Sequence, residues 1–126
     1  MTRSRLAAFV FAAAGLMLPA AATAGGDAAA GAQLFKLQCG ACHSTVAGKN
    51  LVGPSLAGVI GRKSGSVAGF RYSTANRDAG ITWKGDVLDR YLANPREVIP
   101  GTTMPFAGLS SEAQRADLIA YLETLK

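Results

Sequence analysis

Cys39-Gly40-Ala41-Cys42-His43 holds both cysteines and the only histidine of the 126-residue chain, so every thiol and imidazole it owns lies within five residues. A thioredoxin-like redox pair would follow a strand in a βαβ unit, whereas this pair follows a short helix-like stretch. A structural zinc site needs four Cys or His ligands, and the chain offers three. Covalent attachment of haem uses all three: the two thiols add to the vinyl groups, and His43 supplies the proximal nitrogen to iron. An ordinary exported disulfide is the competing reading, and it gives His43 no role.

A low-spin electron-transfer haem needs a second axial donor, usually His or Met. No second His exists, and Met1 and Met17 belong to an N-terminal export segment, which leaves Met104. It sits in Pro100-Gly101-Thr102-Thr103-Met104-Pro105-Phe106, where two prolines and a Pro-Gly turn predict a rigid, non-helical loop. A thioether favours Fe(II) over Fe(III), which suits a one-electron carrier. The alternative is an open sixth position for O₂ or peroxide chemistry, which requires Met104 to stay off the iron.

Upstream of this region the chain changes character. Arg3 and Arg5 precede an apolar run from Leu6 to Leu18, Pro19 breaks it, and Ala22-Thr23-Ala24 is a small-x-small site. Residues 1–24 are therefore expected to be a signal peptide cleaved after about Ala24, placing residues 25–126 in the periplasm as one domain. The competing reading is an uncleaved anchor, because Leu6 to Ala24 approaches the roughly 20 residues that span a bilayer. The whole chain is +5, with 49% hydrophobic and 17% charged residues, too apolar for a disordered chain. Without residues 1–24 the balance falls to +3 with no lysine-rich run, so nucleic acid is set aside as a partner.

Beyond the export segment, Asp27 is a fair N-cap for a helix running to about Gln38. Ser44 to Gly69 is glycine-rich without a sustained period and reads as loops wrapped around a large ligand. A short helix is expected over Tyr72 to Asp78 and a clearer one over Gly85 to Ala93, with Val87, Leu88, Tyr91 and Leu92 on one stripe and Pro95 stopping it. A turn is expected at Arg96 to Ile99. Ser111 and Gln114 form a capping box for a last helix to about Leu125, striped by Leu118, Tyr121, Leu122 and Leu125. No strand pattern survives, and the all-α inventory leaves a core that is marginal unless the prosthetic group is counted in it.

From Gly26 to Lys126 the chain resembles the class I cytochromes c of the mitochondrial and bacterial c2 type. The likeness rests on Cys39-Gly40-Ala41-Cys42-His43, on Gly53-Pro54-Ser55-Leu56 with Gly61-Arg62-Lys63-Ser64-Gly65, and on Gly69-Phe70-Arg71-Tyr72-Ser73-Thr74-Ala75-Asn76. Gly80-Ile81-Thr82-Trp83 and Pro100-Gly101-Thr102-Thr103-Met104 complete it. The resemblance implies a small all-α cytochrome c fold, three main helices plus short ones and long Gly-rich loops around one covalently bound haem c. It implies His43 and Met104 as the axial pair, with Pro54 accepting the hydrogen bond of the proximal imidazole. Arg62, Tyr72 and Trp83 would neutralise or bond the propionates. Asn76, Tyr91 and Thr102 would form a polar set with an internal water, Tyr91 turned to the Met104 sulfur. Phe106 joins the cofactor-binding residues, and Gly31 and Phe35 would cross Leu118 and Tyr121 where the first and last helices pack. The function implied is that of a monomeric electron carrier, not an enzyme. It would dock transiently on partners such as a quinol:cytochrome c reductase and a terminal oxidase or photosynthetic reaction centre.

One departure bears on partners. Family members that meet large respiratory complexes typically carry a lysine ring around the exposed haem edge; here the matching positions hold Gln33, Gln38, Glu97, Thr103, Ser110 and Ser111, with Arg96 the main cation left. The basic residues gather instead at Arg62, Lys63, Arg71, Arg77 and Lys84. Docking is therefore expected to rely more on apolar contact than on electrostatic steering.

Overall fold

The computed structural model describes residues 25–126, and the expected signal segment lies outside them. Five helices follow in order: α1 (Ala28–Gln38), α2 (Thr74–Asp78), α3 (Gly85–Ala93), α4 (Pro95–Val98) and α5 (Glu112–Glu123). Among the described residues there is no strand; the only extended pairing is a single antiparallel bridge between Lys63 and Thr82. No described helix is long and apolar enough to cross a membrane.

α1 starts where the sequence reading put it, because Asp27 Oδ1 accepts from the N–H groups of Ala29 (2.8 Å) and Ala30 (3.3 Å). The Asp27 N–H itself donates to Asp117 Oδ1 at 2.7 Å, which pins the entrance of α1 to α5. The two helices cross at Gly31, where an added Cβ would run into the Asp117 carbonyl, and the Phe35 and Tyr121 rings meet beside that crossing at 5.5 Å. Leu118 and Leu122 are buried from α5, Leu88, Tyr91 and Leu92 from α3. The Arg115–Asp89 pair, 2.7 Å, joins α5 to α3, and Arg115 also donates to the carbonyl of Leu109.

The differences from the sequence reading are local. α2 begins at Thr74 because the Ser73 hydroxyl accepts from the Asn76 N–H, making Ser73 the cap and leaving Tyr72 outside. The expected turn after α3 is a single helical turn, α4, with Pro95 at its first position, where the fixed φ favours a helix start. α5 stops two residues short of Leu125, as the Thr124 hydroxyl and N–H both donate to Tyr121 O. Between α1 and α2 the chain is loop, tied by Gly61 N–H to Trp83 O and Trp83 N–H to Arg62 O.

Candidate haem site

The three larger helices and the loops between them leave a cavity of about 270 Å³ with a mainly apolar wall. All twelve residues singled out from the sequence line it: Cys39, Cys42, His43, Pro54, Arg62, Tyr72, Asn76, Trp83, Tyr91, Thr102, Met104 and Phe106. The chain brings them there from separate elements. Cys39 caps α1, Trp83 precedes α3, Tyr91 belongs to α3, and Thr102 to Phe106 form the non-helical segment between α4 and α5.

His43 is held from one side. Its Nδ1 donates to Pro54 O at 2.8 Å, leaving Nε2 as the ring nitrogen with a free lone pair. Burial, and more weakly the nearby Arg62 charge, lower its pKa against the opposing effect of the Pro54 bond, so the imidazole is neutral at pH 7. Gly53 flanks the same ring so closely that any Cβ would overlap it. Burial, with the neighbouring Cys42 thiol adding to it, pushes the Cys39 thiol up to about 11.

At the other ligand candidate, the Tyr91 hydroxyl lies 3.9 Å from Met104 Sδ, and Met104 N–H is 3.4 Å from Thr102 Oγ1. The Trp83 ring packs 4.7 Å from Tyr91. Burial raises the Tyr91 pKa above its ordinary 10.0, partly offset by a bond to Thr102. The folded state thus keeps a proton that the unfolded chain loses. The corresponding stability is complete below pH 10 and is lost as pH rises through the folded value. Alkaline unfolding of Tyr91→Phe is expected to show a flatter loss of stability above pH 10 than the wild type; equal slopes would contradict this.

Two of the expected propionate partners also have partners within the protein. Arg62 donates from Nη1 to Ala57 O (2.9 Å) and from Nη2 to Ser55 O (3.0 Å), and Tyr72 Oη accepts from the Val67 N–H at 3.1 Å. The sequence reading gave Gly53 no role and passed over Asn50. Asn50 Oδ1 accepts from the Ser55 N–H and its Nδ2 donates to Ala68 O, fastening the loop that carries Pro54. An asparagine in a glycine-rich loop signals only a turn, so no sequence cue marked it.

These residues fit a haem. The wall is apolar, two thiols and a neutral imidazole share it, and Asn76 Oδ1 is buried without any partner in the protein, as expected of a group that a bound molecule or water satisfies. A helical shell around a cavity with this donor set defines a c-type haem protein. Comparison with known proteins agrees: the family model for cytochrome c matches residues 28–126. The chain is 48% identical over 101 residues to cytochrome c of Euglena viridis, covering 80% of this chain and 99% of that one. It is 54% identical over 99 residues to cytochrome c of Arabidopsis thaliana, covering 78% and 88%. With cytochrome c2 of Rhodopila globiformis it shares 50% over 101 residues, covering 80% and 95%. The chain belongs to the cytochrome c family, as a class I c-type cytochrome. It carries covalently bound haem and works as a haem electron carrier rather than an enzyme.

Proposed function

We propose that the chain is an exported single-haem shuttle in which Cys39 and Cys42 would hold the haem through thioethers and His43 and Met104 would be the ligands to its iron. The observation that carries this reading is the convergence of the Cys39–His43 segment and Met104 on one cavity, with His43 already committed at Nδ1 to Pro54 O. When bound, the haem supplies a one-electron Fe(III)/Fe(II) couple.

The chain's own groups tune that couple. The Pro54 bond fixes the imidazole tautomer and strengthens it as a donor. Tyr91, with Thr102 behind it, orients the Met104 thioether, and the apolar wall with Phe106 keeps water away. Arg62, Tyr72 and Trp83 are assigned to the propionate end and Asn76 to the polar set with an internal water. Residues 1–24 are assigned to export and cleavage, with the mature domain working as a monomer in the periplasm. It would move electrons from a quinol:cytochrome c reductase to a terminal oxidase or photosynthetic reaction centre.

The attachment claim is tested by extracting the holoprotein with acidified organic solvent. Haem is expected to stay with the polypeptide in the wild type and in either single Cys→Ala variant, through the remaining thioether, and to leave only when both cysteines are replaced. Extraction from the wild type would sink the claim.

A further inference from the structure

We infer that the partner surface meeting this cytochrome at its haem crevice is itself apolar and uncharged, and that it seats Leu37, Leu51 and Val52. The inference rests on the carrier reading above and specifies the partner's chemistry. Leu37, in the last turn of α1, is 81% exposed, Val52 is 74% exposed and Leu51 43%. The Gly53 N–H donates to Cys42 O at 2.7 Å, which lays the Leu51–Val52 loop beside the turn that follows α1. Val52 borders the cavity as well as solvent, so it stands at the opening. Val52 at the opening, Leu51 next to it in the chain and Leu37 one residue before the lining residue Gln38 are exposed apolar groups close to a functional cleft, as at protein contacts.

Charge argues for the same occupant. Gln38, Thr103 and Pro105, which line the cavity and complete its rim beside Val52, are all uncharged. Arg62 is the one permanent charge in the described lining, and its guanidinium is engaged by two backbone carbonyls. Lys36 and Lys49 are the cations nearest the patch in sequence, and Lys36 projects about 100° further round α1 than Leu37; Arg96, the cation expected at the haem edge, has Glu97 next to it, so the pair adds no net charge. An acidic partner centred on the crevice would bury carboxylates against uncharged groups and lose their hydration without return. An apolar partner brings no charge to dehydrate and gains the burial of three side chains, against the smaller cost of covering the Gln38 amide and the Thr103 hydroxyl.

The test follows oxidation of reduced holoprotein by membrane vesicles from the organism that makes it, read at the haem absorption band over a range of protein concentrations. The wild-type rate is expected to change less than about twofold between about 20 and 300 mM KCl. Leu37→Lys and Val52→Lys are expected to raise the half-saturating concentration about tenfold at both salt levels, with the limiting rate unchanged. Leu37→Gln and Val52→Thr give the same direction with a smaller effect and guard against misfolding of the lysine variants. Faster reaction of Val52→Lys at low salt would establish an acidic partner and overturn the inference. So would a wild-type rate that falls more than about tenfold across the salt range. Binding of the wild type to protein-free phosphatidylcholine vesicles that is abolished by Leu37→Lys, with the oxidation kinetics of that variant unchanged, would assign the patch to lipid and also overturn it. A wild type that no vesicle oxidises at any salt level overturns the carrier reading, and this inference with it.

Discussion

Gly31→Val is expected to destabilise the folded holoprotein by about 3 kcal/mol or more, near the top of the range for overpacked sites. A Cβ at this position would overlap the Asp117 carbonyl and stand 2.8 Å from Tyr121 Cβ. The obstacle is backbone on one side and the root of a side chain on the other, so no rotamer change relieves it. α1 and α5 would have to separate, opening the Phe35–Tyr121 contact and the Asp27–Asp117 hydrogen bond together. Helix propensity works the other way, since valine is intrinsically better than glycine in a helix by some tenths of a kcal/mol. A net loss therefore reports the crossing itself. Guanidinium denaturation followed by far-UV circular dichroism measures it; a loss below about 1 kcal/mol would mean that the close approach is not required.

Met104→Ala is expected to lower the reduction potential by on the order of 0.1 to 0.3 V, a fraction of the roughly 0.8 V over which axial ligands move haem potentials. A thioether favours the ferrous state, and no other described residue offers a replacement thioether, since Met104 is the one methionine in residues 25–126 and both cysteines are proposed for attachment. The same variant is expected to bind carbon monoxide readily in its ferrous form. Potentiometric titration decides the matter. A shift smaller than about 30 mV would place Met104 in the packing of the cavity and not on the iron.

The parts of this molecule that were legible in the sequence are those whose residue types are themselves the chemistry. Cys39, Cys42, His43 and Met104 could be placed at one cavity because few side chains carry soft ligand atoms, and the structure brings these four to its wall. α1 and α3 were legible because Asp27 caps the one and Pro95 stands two residues beyond the last residue of the other. The start of α2 was misread by two residues, since Ser73 looks like a helix member until its hydroxyl is seen accepting from Asn76. α4 is too short to show a period.

What the sequence did not display is carried by main-chain atoms. Ser55 O and Ala57 O receive Arg62, yet every residue has a carbonyl, and only the folded path of the loop selects these two; Pro54 O, the acceptor for His43, was expected from the family resemblance and not from its residue type. Gly53 is informative for what it lacks, and its reason is visible only once the His43 ring lies against it. Asn50 belongs to the same class: its role depends on Ser55 and Ala68, 5 and 18 residues away, being brought to one point.

The most direct measurement is the optical spectrum of the ferric holoprotein in the far red, taken together with exposure of the ferrous form to carbon monoxide. Closure of the iron by His43 and Met104 requires the weak thioether-to-Fe(III) band to be present and carbon monoxide to bind slowly or not at all. A high-spin ferric spectrum without that band, with rapid carbon monoxide binding, would contradict the account and make this an open-iron haem protein.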